Sequence, residues 1–296
     1  MALSLAPTPI PRMAWLIVLM GYAAMYMPTY WWAATDLWQS DDYAHGAIIL
    51  LVVIWLFWEV RDAMLKAEIK PLGILGWPCF IVGVFLYVLG RSQSISILDF
   101  GSQILVLAGA MLIFKGMPIL RAAWFPLFYI VFMIPLPGIL VDALTGPLKN
   151  WISIIAEQVL YQVGYPIARN GVVLTIGQYQ LLVADACSGL HSMFSLSALG
   201  VLFMYITERK SWLHNGIMLA SILPIAFVAN IVRVMVLILV TYHLGDEAGQ
   251  GFLHGAAGIV LLVVALLFLF LLDAILARVF GVSLRPAHSR QSSSGA

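Results

Sequence analysis

Apolar residues run along this chain in long blocks separated by short polar, glycine- or proline-bearing stretches. The blocks lack the strict alternation that strands of a membrane barrel carry. About 20 apolar residues cross a hydrocarbon core as a helix. On that length the pattern predicts about eight spans, near 13–34, 46–58, 72–90, 100–117, 122–137, 190–206, one or two within 212–244, and 255–277. The 212–244 stretch is too long for one straight crossing, and Pro224 can break a helix, so a re-entrant piece beside the crossing is expected there. The interruption at 139–186 is too polar to cross. Within it, 148–163 has amphipathic helical spacing suited to a membrane interface. Residues 170–183 read as two short strands around a turn at Gly177.

The predicted architecture is therefore an all-α polytopic membrane protein. It consists of one transmembrane domain over 13–280, a small cap over 139–186, and disordered tails at 1–12 and 281–296. No internal repeat is evident, which leaves the inverted symmetry of many transporters unsupported.

Composition sharpens this picture. The chain is 62% hydrophobic and only 10% charged, where a soluble domain carries about a quarter charged residues. A net charge of +1 singles out no partner, and nothing points to nucleic acid. The placement of charge says more. Arg12, Arg61, Lys66, Lys70, Lys115, Arg121, Arg209, Lys210, Arg278, Arg285 and Arg290 fall on one face, which the positive-inside rule makes cytoplasmic. The other face carries Asp36, Asp41, Asp42, Asp99, Asp142, Glu157 and Asp185 against Arg91, Lys149 and Arg169. Of the two cysteines, Cys79 lies inside an apolar run and Cys187 at a boundary, so a bridge is not expected and Cys187 reads as a free thiol. No cleavable signal peptide is evident.

Three polar groups stand out against this background. Cys187 lies in Asp185-Ala-Cys187-Ser188-Gly189, where a polar segment opens a new span. The positive end of that helix would favour the thiolate, and Gly189 permits close substrate approach. Arg233 lies in an almost purely aliphatic run, with Asn230 three residues earlier on the same helix face. A guanidinium there suits stabilisation of an oxyanion, although it could also cap carbonyls or snorkel to an interface. His254 sits at the entrance to the last span and could serve as general acid or base. His191, four residues after Cys187, competes for that role, and His45 is a further candidate. No HxxxH or HExxH pattern argues for a metal, and no cofactor is expected.

These residues carry a family resemblance. Tyr43-Ala-His45-Gly46, the Phe125-Pro126 to Pro135-Leu-Pro137 segment, Ala186-Cys187-Ser188-Gly189-Leu190, Asn230-Ile-Val-Arg233 and His254-Gly255, in that order, resemble the exosortase/archaeosortase family. The likeness is nearest to exosortases of Gram-negative bacteria, in particular the exosortase B subtype. The resemblance implies a cysteine peptidase-transpeptidase of the inner membrane, working on its periplasmic side. Its partners would be exported proteins bearing a C-terminal Pro-Glu-Pro motif, one transmembrane helix and a basic cluster, with a surface glycan or lipid as possible acceptor. The family's nucleophile, arginine and histidine would fall on Cys187, Arg233 and His254. Where many relatives have arginine after the Cys-Ser-Gly-hydrophobic run, this chain has His191. Arg169 and Arg91 are candidates to meet the motif's glutamate. A transporter or flippase for lipid-linked glycans would use Arg233 but leave Cys187 idle, and a non-catalytic scaffold would need none of the three.

Overall fold

The computed structural model describes residues 12–40, 43–136, 138–182, 190–207, 209 and 211–281; the side chains of His191 and His254, among others in those helices, are not described. The tails expected to be disordered lie outside these residues, apart from Arg12 and Gly281. The chain divides into two compact units, Met1–Pro137 and Gly138–Ala296.

The first unit holds α1 (Arg12–Thr35), α2 (His45–Lys66), α3 (Gly73–Ser92), α4 (Ser96–Phe114) and two short helices, α5 (Met117–Ala122) and α6 (Trp124–Tyr129). Its α3 and α4 pack as a tight antiparallel pair because a glycine recurs every seventh residue of α3. A Cβ at Gly76, Gly83 or Gly90 would meet α4 backbone at 2.5–2.9 Å. Without a hydrophobic drive between helices in lipid, such close approach supplies dispersion contact, and polar side chains supply the rest. Accordingly α1 is tied to α4 by hydroxyls. Tyr22 donates to Gln103 Oε1 at 2.7 Å, Tyr26 pairs with Ser102 at 2.7 Å, and Thr29 donates to both Asp99 oxygens at 2.9 and 3.1 Å. Tyr87 of α3 donates to the Met25 carbonyl. Cys79, a free thiol, lies 3.5 Å from the Leu105 carbonyl. At the other end of α4, the buried Lys115 ammonium donates to the Met64 and Leu65 carbonyls at 2.8 Å, satisfying acceptors that the end of α2 leaves open. Burial pushes that ammonium's pKa below the ordinary lysine value.

The second unit begins with α7 (Gly138–Gln162), followed by strands β1 (Ile167–Asn170), β2 (Val173–Ile176) and β3 (Tyr179–Leu182). The sheet is antiparallel in the order β1-β2-β3. Each hairpin turns through a two-residue loop whose first residue is glycine, Gly171 at φ +63° and Gly177 at φ +57°. Then come α8 (Leu190–Thr207), α9 (Trp212–Leu244), α10 (Asp246–Gly255) and α11 (Ala257–Phe280). Two apolar clusters set a register between α8, α9 and α11. Phe203 of α8, Met218 and Ile222 of α9, and Leu269 and Leu276 of α11 pack together. Met193 and Leu196, Ala226 and Ala229, and Leu261 and Ala265 form the next layer. Thus α9 runs antiparallel to both α8 and α11.

All-α membrane architecture is as expected. Among the described residues four helices are long and apolar enough to cross: Gly73–Ser92, Ser96–Phe114, Trp212–Leu244 and Gly258–Phe280. The expected count of about eight goes beyond these four. Three readings are corrected. The span expected at 122–137 is instead α6 running into a 3₁₀ turn, Ile130–Met133; with α5 it is apolar because α2 and α4 bury it. Residues 212–244 form one continuous 33-residue helix, about 50 Å long, in place of a crossing with a re-entrant piece. Pro224 removes one hydrogen bond, a loss that packing along both halves of α9 outweighs. The cap has three strands rather than two. The missed one, Ile167–Asn170, carries an arginine.

One buried ionic cluster fastens the end of this unit that bears Arg209. Arg209 donates to both Asp273 oxygens, at 3.1 Å from Nε and 2.6 Å from the second nitrogen, and His214 Nε2 lies 3.0 Å from Oδ1. All three side chains are nearly enclosed. Removing the shared carboxylate leaves a cation without its counter-charge in a low dielectric, a loss of about 3–5 kcal/mol. Asp273→Ala is therefore expected to lower the Tm of the detergent-solubilised protein sharply. Asp62→Ala, whose carboxylate is 70% exposed beside Arg61, should leave it unchanged. Equal Tm values would show that the cluster contributes nothing.

Candidate active site

The C-terminal half of α9 carries a polar stripe between apolar flanks. Ile231, Val234, Leu237 and Ile238 pack against Ile152, Ala156 and Leu160 of α7 and against Ile167, Leu174 and Ile176 of the sheet. Ala226 and Ala229 face α8 and α11. Asn230 and Arg233, one turn apart, are 1% and 8% exposed. Arg233 lies 11 residues before the end of α9, about 16 Å along its axis. Its level relative to the neighbouring helices follows from the register. Met193 and Leu261 pack with Ala229, and Arg233 is one turn further along α9, so it is level with the first turns of α8 and α11.

The surroundings of this stripe are close-packed at the C-terminal end of α9. After Gly245, at φ +93°, α10 turns back against α9, and Gly249 lies so near Thr241 that a Cβ there would meet its hydroxyl at 2.2 Å. Tyr165, leading into the sheet, stacks edge-on against Tyr242 and reaches His243 Nε2 at 3.2 Å. The cap is thereby pinned to the C-terminal tip of α9.

Asn230 is chemically exposed to loss. Neither its amide nitrogen nor its carbonyl oxygen has a hydrogen-bond partner among the described residues. A buried polar group in that state costs about 1–3 kcal/mol.

The other residues singled out by the sequence are distributed as follows. Cys187, Ser188 and Gly189 lie outside the described residues. His191 is the second residue of α8, and His254 the penultimate residue of α10. His45 opens α2 in the first unit, half-buried. The motif around it has a packing reason: a Cβ on Gly46 would meet Trp38 Nε1 at 2.3 Å, and Tyr43 donates to the Leu136 carbonyl at 3.2 Å. Two of the segments that carry the family resemblance are thus joined within one unit. Arg169 of β1 is engaged within the cap, by Glu157 Oε2 at 3.1 Å and the Gly171 carbonyl at 2.9 Å. Sequence reasoning passed over Asp273 and discounted His214. A lone histidine on the basic side carried no signal without its distant carboxylate.

The class defined by these features is a multi-pass α-helical membrane protein with a small α/β cap and a buried amide–guanidinium stripe. More specifically, the chain belongs to the transmembrane exosortase family, whose family model it matches over residues 31–271. No curated protein and no solved structure matches it.

An asparagine kept for packing alone would be stabilising, whereas one kept for a ligand is a liability in the empty protein. Asn230→Leu, of similar volume, is expected to raise or preserve the Tm while lowering turnover of a sorting-signal substrate at least tenfold. A destabilised variant of undiminished turnover would make Asn230 a structural residue.

Proposed function

We infer that this member of the transmembrane exosortase family, a membrane protein involved in processing sorting signals, is a cysteine peptidase-transpeptidase of the bacterial inner membrane, acting at the periplasmic face on exported proteins whose C-termini carry a Pro-Glu-Pro motif, an apolar helix and a basic cluster. The observation that carries this reading is the level of Arg233 on α9. It coincides with the first turns of α8 and α11, the helices that directly follow the segments bearing Cys187 and His254 in the chain.

In this mechanism the Cys187 thiolate attacks the scissile carbonyl carbon. The carbonyl π-electrons move onto oxygen, where the Arg233 guanidinium meets the developing charge. An intramembrane arginine stays protonated, and a preorganised donor of this kind is worth about 10²–10³ in kcat. Collapse of the tetrahedral adduct breaks the C–N bond, and His254 hands a proton to the departing amine. The released apolar helix remains in the bilayer, and the exported part is held as a thioester. Water, or an amine of a surface acceptor, then attacks the thioester and regenerates the thiol. His191 is the alternative proton carrier. Burial of Arg233 in the protein and the cap above it support chemistry shielded from bulk water, where electrostatic stabilisation is strongest.

The test is a reporter fused to a Pro-Glu-Pro segment, apolar helix and basic cluster, incubated with the reconstituted full-length protein. Wild type should release the reporter and form a transient adduct cleaved by hydroxylamine. Cys187→Ala should do neither, with at least a 10³-fold loss, and Arg233→Gln should cut kcat about 100-fold. Undiminished release by Cys187→Ala would remove the thiol from the mechanism. Separate His191→Ala and His254→Ala variants rank the imidazoles, and loss confined to His191→Ala would transfer the proton role to it.

A further inference from the structure

A second polar site lies in the first unit. Trp32 of α1, Gly90 and Arg91 at the end of α3, Ser94 in the connection, and Ser96 and Asp99 at the start of α4 line a cleft of about 250 Å³. Its depth in the bilayer follows from helix length. Both α3, with 20 residues, and α4, with 19, match a hydrocarbon core of about 30 Å. The connection between them must then lie at headgroup level, where a tryptophan such as Trp32 is at home. Apolar side chains border the connection: Val88, Ile95 and Ile97 are exposed on the outside of the same turn.

The cleft offers both signs of charge. Asp99 is 3% exposed, yet its two oxygens share a single hydroxyl, that of Thr29, at 2.9 and 3.1 Å. A carboxylate accepts about four hydrogen bonds, so acceptor capacity remains. The Arg91 guanidinium forms a long ion pair with Oδ2 at 3.6 Å, and its side chain is 38% exposed. Among the described residues nothing else charged lines the cleft. One hydroxyl and one long ion pair leave this carboxylate short of the partners that a buried charge can take. Arg91 presents a fork of donors suited to phosphate, and the serine hydroxyls and the first N–H groups of α4 favour an anion beside it.

We propose that this cleft binds the headgroup of a zwitterionic aminophospholipid, its primary ammonium donating to Asp99 and its phosphate accepting from Arg91, with the acyl chains lying along the apolar surface of Val88, Ile95 and Ile97. A primary ammonium brings three donors to the open acceptors of Asp99. A trimethylammonium brings none, and an anionic headgroup without nitrogen leaves Asp99 unmet and repels it. The site is independent of the peptidase reading, and its occupant is a membrane component rather than a substrate.

The experiment is native mass spectrometry of the detergent-solubilised full-length chain titrated with phosphatidylethanolamine, phosphatidylcholine or phosphatidylglycerol of matched acyl chains. Soluble phosphoethanolamine serves as competitor. Phosphatidylethanolamine should bind at least tenfold more tightly than the other two and raise the Tm. Millimolar phosphoethanolamine should displace it only weakly. Arg91→Gln, at a half-exposed position that folding tolerates, should abolish the preference, and Asp99→Asn should reduce it where the variant folds. Equal binding of the three lipids, a preference for phosphatidylglycerol, or an unchanged preference in Arg91→Gln would each overturn the proposal. Displacement by phosphoethanolamine at the lipid's own affinity would overturn the assignment to a lipid.

Discussion

Hydrocarbon offers a polar group no water to fall back on, and that constraint organises both units of this protein. Several of the buried hydroxyl, carboxylate and ammonium groups find their partner on a neighbouring helix. Tyr26 meets Ser102, Thr29 meets Asp99, Lys115 meets the last carbonyls of α2, and Arg209 meets Asp273. These pairs also choose which helices lie together, because an apolar face has no preference between lipid and another apolar face. Close glycine contacts between α3 and α4 add dispersion to the same end. Among the described residues Asn230 leaves both of its buried polar atoms unmet, and it stands one turn from a buried arginine.

The second unit shows how a long helix can hold a charge at a chosen depth. α9 is fastened at one end by the Arg209–Asp273–His214 cluster and at the other by aromatic contacts with the segment leading into the cap. Between these anchors its axial position is fixed by interlocking layers with α8 and α11. Arg233 is therefore held level with the first turns of α8 and α11. Its level is set by packing that extends over the whole length of the helix, including Pro224. A cation held in this manner is preorganised, and the large electrostatic contributions to catalysis depend on that property. The cap contributes rigidity of its own kind, with Arg169 clamping β1 onto α7.

Much of this was legible in the chain. The membrane class and the approximate ends of α1, α3, α4, α8 and α11 follow from block length, because the bilayer imposes one thickness on every crossing. The i, i+3 spacing of Asn230 and Arg233 placed both on one face before any coordinates did, and both are buried. The amphipathic period over 148–163 gave the part of α7 that carries Ile152, Ala156 and Leu160 into the core. Other signals misled. Apolarity at 122–137 reflects burial under α2 and α4, and composition does not distinguish a lipid-facing residue from a protein-buried one. β1 was missed because its arginine breaks the apolar alternation, and only the folded cap brings Glu157 to that charge.

What the sequence determined alone is which segments avoid water and which faces of them are polar. Local spacing and bilayer thickness suffice for that. The tertiary structure decided the partners: which carboxylate neutralises Arg209, whether Pro224 breaks a helix, which turns of α8 and α11 lie level with Arg233, and that Arg91 and Asp99 share a cleft. Each of these depends on contacts between residues distant in the chain, whose energies act only once the helices have docked.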